Sequence, residues 1–431
     1  MRRTRGLTLL CLGQCLQLAG LSLSLPYMAL YLNRERGLGM GMVGLFLALT
    51  MLATAFGQAA GGALSDRVGR RPVMVGSLVG RSLLTFVLAA AVHGHWSVPG
   101  VVLAHMAGAF AGNLYFPAAH AWIAERWGRH ERLEAFGWLR VAANLGWAIG
   151  PAVGGFFMAA SYGAMFAASA AVCAVTAVFI RYAMDADAPK PHPCVPMGAC
   201  GPSKGAWHGG TQGLELVVGP FSGPLDGRFV RFCAWTVLMG TVMSQLVAPL
   251  SVYAVTYASV PPDRVGWLFT INGGLVVLLQ PFVNRVGRHM RISHVMAVGG
   301  LFYAAGYALV GLAAGFAGLA AAMAVITVGE TFVSPPGNST LSANLAGAGE
   351  AGRYTGLNGF SHQIGSALGP LLGGVMLERL APSHPALPWL LVSGLAVAGA
   401  LGYRSLGRRL TDEEDGFKAA VLDREPVPEA A

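Results

Sequence analysis

Long apolar stretches almost without charged residues dominate this sequence. The chain has 431 residues, of which 54% are hydrophobic and only 11% are charged, whereas soluble domains carry about 25% charged residues. A stretch of about 20 apolar residues is long enough to cross a bilayer, and a soluble core this apolar would leave exposed patches that aggregate. The sequence therefore predicts an all-α membrane protein.

Twelve such stretches can be placed along the chain, six on either side of a segment rich in proline, glycine and polar residues. That segment has the composition of a flexible linker. The apolar run over 7–32 is too long for a signal peptide and is predicted to remain as the first span. We predict twelve transmembrane helices in two six-helix bundles, divided into an N-terminal bundle over 1–182, a linker over 183–228, a C-terminal bundle over 229–405 and a tail over 406–431.

The basic residues give the expected orientation. Most of the 29 lysines and arginines lie at the termini, in the linker or in loops after even-numbered spans, and few lie in the opposite loops: Arg34, Arg36, Arg264 and Arg379. Because basic loops stay in the cytoplasm, both termini are predicted to be cytoplasmic, with the chain in the plasma membrane. The basic residues lack interleaved aromatic residues, which argues against nucleic-acid binding.

A basic loop signature follows the second span. The first copy, GALSDRVGRRPV, supplies Gly62, Leu64, Asp66, Arg67, Gly69, Arg70 and Arg71. A second copy, QPFVNRVGRHMR, follows the eighth span and has Asn284 in place of the aspartate. The glycine permits a tight turn, and the arginines are expected to hold the turn at the membrane surface. A role in topology alone is one explanation of this signature.

A glycine-proline pattern, G-x8-G-x3-G-P-x2-G-G, occurs in the fifth span and again in the eleventh. Its members are Gly137, Gly146, Gly150, Pro151, Gly154 and Gly155, and then Gly356, Gly365, Gly369, Pro370, Gly373 and Gly374. Glycines four residues apart share one helix face and allow close helix approach in lipid, and a proline bends the helix. We expect a bent helix with a smooth packing groove, and ordinary small-residue packing is the alternative.

The signatures recur at a nearly constant separation. Positions 66 and 284, 117 and 336, and 150 and 369 differ by 218 or 219 residues. Two parallel repeats of six spans are a transporter architecture, in which the substrate site lies near the membrane midplane between the halves.

The loop signature, the doubled glycine-proline pattern and the six-plus-six arrangement resemble the major facilitator superfamily over nearly the whole chain. The pattern in the fifth span is similar to that of its proton-coupled antiporter branch, especially the twelve-span drug exporters. The resemblance implies efflux of small amphipathic compounds by alternating access, a fifth helix that seals the far side, and an Asp66 carboxylate that latches the halves. Uptake of a sugar, organic acid or amino acid is an alternative, and a non-transporting receptor is a third.

Enzymatic motifs are missing from the sequence. It contains no P-loop, no H-E-x-x-H and no G-x-S-x-G at a strand-to-helix turn, so neither an ATP-driven pump nor an enzyme is expected. The cysteine and histidine spacing of the linker matches no zinc pattern, and we expect no metal and no cofactor besides a coupling ion, H+. Membrane lipid and a small-molecule substrate are the expected partners, with the chain as a monomer.

Ionisable residues inside spans are costly and indicate function by default. Glu330 is the one carboxylate deep in a span. It is predicted either to exchange a proton or bind substrate, or to have a structural role through an ion pair with an arginine such as Arg140 or through a helix–helix hydrogen bond. His105 stands in span four, where the resembled antiporters carry an arginine, and it is a candidate for coupling or an ordinary hydrogen-bonded residue. Arg81 and Arg140 are further candidates, with snorkelling to the membrane surface as the alternative.

Polar and aromatic residues in spans one, four, seven and ten are predicted to line a central cavity, because aromatic faces with a few polar anchors suit amphipathic ligands. Helix packing or the interfacial aromatic belt is the alternative for any one of them. The candidates are Gln17, Tyr27, Asn113, Tyr115, Gln245, Tyr253, Phe332 and Asn338.

Overall fold

The computed structural model describes residues 2–126, 129–184, 225–287, 290–333, 340–342, 344–346 and 351–416. Within these ranges the chain forms helices and turns and no strand. The helical spans are α1 (Arg2–Leu30), α2 (Met40–Val68), α3 (Arg70–His93), α4 (Val98–Asn113 and Tyr115–Arg126), α5 (Arg129–Met158), α6 (Tyr162–Ala183), α7 (Gly227–Met243 and Ala248–Thr256), α8 (Val265–Gly287), α9 (Ile292–Leu312), α10 (Gly315–Val333), α11 (Ala351–Arg379) and α12 (Leu387–Gly407).

Eleven of the spans in the described ranges are long and apolar enough to cross a membrane. The other span, α11, has 29 residues and is richer in glycine and polar residues. It packs against α7 of its own half and α2 of the other half, so much of its surface faces protein rather than lipid. The predicted fold class, an all-α membrane protein with twelve spans in two six-helix bundles, is confirmed.

The two halves meet along two related pairs of helices. The helix α2 packs against α11, and α5 packs against α8, which is the pairing that a six-span repeat requires. The start of α1 and the end of α12 lie on one side, which we call the terminal face, and the opposite side is the far face. The predicted linker, 183–228, falls mostly outside the described residues, and the domain boundaries stay predictions.

Residues 408–416 after α12, which we call the strap, pack against the terminal face of the C-terminal half. The Ser293 amide donates to Asp415 Oδ1 at 2.8 Å, and the Ser293 hydroxyl donates to Oδ2 at 2.5 Å, so this carboxylate caps the start of α9. Arg228 of α7 donates to Glu414 at 2.9 Å. Burial raises the pKa of Asp415, and the bonds from Ser293 oppose that shift.

Removing the strap carboxylate should destabilise the protein. We expect Asp415→Ala to lower the free energy of unfolding by about 1–2 kcal/mol, because two donors of Ser293 lose their acceptor. The measurement is the thermal midpoint of the solubilised protein. Glu413→Ala is the matched control, since Glu413 is exposed; equal midpoints for the two variants would contradict a capping role.

Candidate functional site

Glu330 lies in a polar cluster inside the C-terminal half. Its Oε2 accepts a hydrogen bond from Asn272 Nδ2 of α8 at 2.8 Å, and the same amide nitrogen lies 3.0 Å from the Thr327 hydroxyl. Thr327 in turn donates to the Met323 carbonyl at 2.7 Å. Asn272 is 2% exposed, so α8 and α10 hold the carboxylate among buried partners. A carboxyl group in this setting can be held ionised by the amide or can take a proton.

Arg140 brings a positive charge from the other half towards this cluster. Its Nη2 donates to Gln280 Oε1 of α8 at 3.1 Å, and its charge interacts with that of Glu330. The two residues form no ion pair within 4 Å, unlike, for example, Arg70 and Glu125. The predicted direct Arg140–Glu330 pair is therefore replaced by an attraction at longer range, and a hydrogen bond to Gln280 joins the halves at mid-depth.

Arg81 lies in the interior of the N-terminal half. It is 6% exposed and packs over Gly112 of α4, so the snorkelling alternative is wrong: the missing Cβ of that glycine makes room for the side chain to lie between helices. It also interacts electrostatically with Cys173 of α6. Its Nε and Nη1, like His105 Nε2, have no hydrogen-bond partner within the described part of the chain.

His105 interacts electrostatically with Arg81. Two like charges repel strongly at low dielectric, so a protonated imidazole here would face an existing cation. The coupling role considered for His105 stays a prediction.

The loop signature ties together the terminal face of the N-terminal half. Gly69 has φ 103°, a conformation that glycine adopts without strain, and the predicted tight turn between α2 and α3 is confirmed. Arg70 donates to Ser65 at 2.6 Å and pairs with Glu125 of α4 at 3.0 Å, and Arg71 donates to the Arg181 carbonyl of α6.

The remaining members of the signature belong to the last part of α2. Gly62 and Leu64 lie on α2, and Arg67 lies in its last turn. The side chains of Asp66 and Asn284 fall outside what the structure describes, so the predicted latch stays a prediction.

The glycines spaced four apart allow close helix packing inside each half, and we call these close helix–helix contacts seams. A Cβ on Gly146, Gly150 or Gly154 would overlap atoms of α1. In the second copy, a Cβ on Gly365, Gly369 or Gly373 would overlap atoms of α7. Side chains from the partner helices also bind the backbone around each proline, since Tyr27 donates to the Pro151 carbonyl at 2.9 Å and Gln245 donates to the Gly369 carbonyl at 2.9 Å. Both helices are continuous through their prolines, Pro151 and Pro370.

The last glycine of each copy faces the opposite half. A Cβ on Gly155 would overlap the Asp263 carbonyl before α8, and a Cβ on Gly374 would overlap the Met40 carbonyl of α2. Neighbouring helix positions point about 100° apart, so a Gly-Gly pair lets one helix pack closely on two sides. Proline carbonyls complete the contact, because Gly266 lies against the Pro151 carbonyl and Gly44 against that of Pro370.

These contacts close the far face. Glu378, at the far end of α11, accepts a hydrogen bond from the Gly41 amide at 2.6 Å, so its charge lies at the start of α2, where helix amide groups attract anions. Nearer mid-depth, the Thr270 hydroxyl donates to the Ala148 carbonyl at 2.6 Å. By contrast, at the terminal-side glycines of the same helices, Gly137 and Gly356, no described atom of a neighbouring segment lies within 4 Å of a Cβ position.

Most of the predicted cavity residues are buried in packing instead of facing open space. Six of them are at most 6% exposed, because α1 and α7 lie inside the closed seams and α4 packs against α2 and α3. These six are Gln17, Tyr27, Asn113, Tyr115, Gln245 and Tyr253. Phe332 stacks on Phe302 of α9 at 6.1 Å, and Asn338 lies outside the described residues.

An open cavity of about 310 Å³ lies between α2 and α4 towards the terminal face, lined by Gln58, Phe116, Pro117 and His120. Gln58 donates to Asn113 at 3.3 Å, and His120 packs edge-on against Phe136 of α5 at 5.7 Å. Gln58, Asn272 and Gln280 were missed from the sequence, and the only available signal was a polar residue within an apolar run.

The paired seams, the mid-depth charges and the closed far face define a membrane transporter built from two six-helix bundles. The sequence profile described as Major Facilitator Superfamily matches residues 10–260 and 227–427. The chain belongs to the Major Facilitator Superfamily, as the resemblance in its motifs implied.

Relatives and solved structures agree with this assignment. The chain is 25% identical to the uncharacterized MFS-type transporter YttB of Bacillus subtilis, over 97% of this chain and 99% of that protein. It is 24% identical to the multidrug resistance protein MdtH of Escherichia coli, over 94% of each chain. A POT family transporter in complex with 5-aminolevulinic acid has a TM-score of 0.75 at 13% identity, over 94% and 97% of the two chains. The nucleoside transporter NupG has a TM-score of 0.71 at 15% identity, over 93% and 99%; such identities show the fold alone.

Proposed function

We propose that this transporter exports small amphipathic compounds from the cytoplasm across the plasma membrane in exchange for protons. The observation that carries the proposal is the partly buried Glu330 carboxylate, which is hydrogen-bonded to Asn272 and attracted to Arg140 of the opposite half. A carboxylate inside a helix bundle that binds and releases a proton allows a proton gradient to shift a conformational equilibrium. The relationship to MdtH supports drug-like substrates.

The coupling step follows from the mid-depth charges. While Glu330 is ionised, it attracts Arg140 and favours the arrangement in which Arg140 bonds to Gln280 of α8. Protonation of Glu330 removes that attraction and lowers the cost of separating α5 from α8. Since those same helices close the far face, the empty, ionised transporter is held in the state described here. It changes state only when a proton or a bound substrate neutralises Glu330, and this requirement couples export of one to entry of the other.

The basic loops support cytoplasmic termini, so the terminal face would be the cytoplasmic face and this state would be open inward. The Asp66 latch would close that face in the alternate state, and Asn284 in the second copy would make the latch one-sided. A surface ion pair of this kind contributes about 1 kcal/mol or less, which is weak enough to break in every cycle.

Transport by everted vesicles tests the proposal. Vesicles that contain the protein and are acidic inside should accumulate a lipophilic cationic dye, and an ionophore that collapses the pH gradient should stop the accumulation. Vesicles without the protein are the control for passive uptake of dye. Dye flux that does not depend on the pH gradient would refute proton coupling. Substrate movement in the same direction as protons would establish uptake symport instead.

A further inference from the structure

A second cavity lies at the terminal face of the C-terminal half, between the first turns of α7 and the end of α12. Its volume is about 310 Å³, and it is lined by Arg231, Ala234, Trp235, Ser405, Leu406 and Arg409. It is separate from the seams between the halves, because both of its walls belong to one half. Two arginines, a hydroxyl group and an indole therefore converge at the level where a span leaves the membrane.

The arginines of this cavity have no acidic partner among the residues that the structure describes. Arg228, one turn earlier on α7, pairs with Asp226 at 2.7 Å and Glu414 at 2.9 Å. Arg231 and Arg409 are exposed, and neither forms an ion pair with the described residues. The chain thus neutralises the neighbouring arginine with its own carboxylates and leaves the cavity positively charged, so the complementary ligand is an anion.

The cavity continues onto the lipid-facing surface. The Trp235 ring lies against Gly402 of α12, where a Cβ would overlap the ring, and an indole at this depth is typical of the membrane interface. Leu401 lies one turn before Ser405 on the same helix face and is 59% exposed. A ligand whose charged group occupies the cavity would therefore extend its apolar part along α12.

We propose that this cavity binds the phosphate headgroup of an anionic phospholipid, with the acyl chains lying along the exposed face of α12. Arginine is the residue best suited to bind a phosphate through two parallel hydrogen bonds, and basic pockets between spans bind lipid headgroups. Arg231 and Arg409 bind the phosphate, Ser405 donates to it, and Trp235 packs against the glycerol region. The binding site is independent of the compound that is transported.

Native mass spectrometry of the detergent-solubilised protein, titrated with phosphatidylglycerol or phosphatidylcholine, tests the proposal. The double variant Arg231→Gln/Arg409→Gln should weaken the first phosphatidylglycerol binding step by about 30-fold, because each arginine near a lipid headgroup contributes about fivefold. The Lys/Lys variant at these positions should retain most of the affinity. Phosphatidylcholine binding should not change, because its headgroup has no net charge.

The matched control is Arg404→Gln/Arg408→Gln, which removes two exposed arginines of the same helix end that do not line the cavity. Equal losses from the two double variants would overturn the proposal, since they would show only dispersed surface attraction. Displacement of the lipid by inorganic phosphate alone would identify free phosphate as the occupant and would also overturn it. Comparable thermal midpoints for both double variants ensure that the comparison is made between folded proteins.

Discussion

Glu330→Gln is expected to reduce proton-driven substrate accumulation by on the order of 100-fold, within the range of about 5- to 150-fold that coupling free energies span. Glutamine preserves the size of the side chain and an oxygen that accepts from Asn272, but it cannot exchange a proton. The protein should therefore fold and alternate between its states while the pH gradient no longer drives it. The measurement is dye accumulation in acid-loaded everted vesicles at matched protein levels.

Substrate exchange without a gradient separates coupling from binding. Vesicles with equal pH on both sides should exchange labelled dye at the wild-type rate in Glu330→Gln, because no proton movement is required. Glu413→Gln removes an exposed carboxylate of the strap and should leave both measurements unchanged. If Glu330→Gln accumulates dye at the wild-type level, the hydrogen bonds of Glu330 have only a structural role. If the folded variant loses dye exchange, Glu330 belongs to the substrate-binding site instead.

The fold could be predicted from the sequence because each of its elements depends on a pattern of nearby residues. Apolar length determines the spans, so the predicted first span, 7–32, lies close to the observed helix α1 (Arg2–Leu30). The turn at Gly69 follows from a local backbone requirement. The six-plus-six arrangement follows from the repeat, since equivalent sequences fold into equivalent bundles.

The site was harder to predict because it depends on tertiary geometry. Glycine spacing indicates a smooth face, but only the packing shows that Gly373 contacts its own half and Gly374 the other. The cavity candidates were chosen by residue type, yet Tyr27 and Gln17 are buried because the far face is closed in this state. Glu378 at the end of a span carried no sequence signal, since its partner is a backbone amide of another helix.

Gly374→Ala is expected to open the far face. The added Cβ would overlap the Met40 carbonyl across the seam between α11 and α2, and a backbone atom cannot move aside as a side chain can. Overpacking of this kind costs about 1–3 kcal/mol, which corresponds to a shift of about 5- to 150-fold towards the far-open state. Transport should fall with the population of the closed state.

Spin labels on the far loops of the two halves would measure this shift. Labels at Ala160→Cys and Ser383→Cys, in a chain whose native cysteines are replaced, should show a longer distance when Gly374→Ala is added. Two glycines of the same helix are controls. Gly365→Ala would overlap the Val237 carbonyl within its own half and should lower the thermal midpoint without lengthening the distance. Gly356→Ala meets no described atom of a neighbouring segment within 4 Å and should change neither measurement. An unchanged distance in Gly374→Ala would mean that the close packing of α11 against α2 does not hold the far face shut, because only that contact distinguishes Gly374 from its two controls.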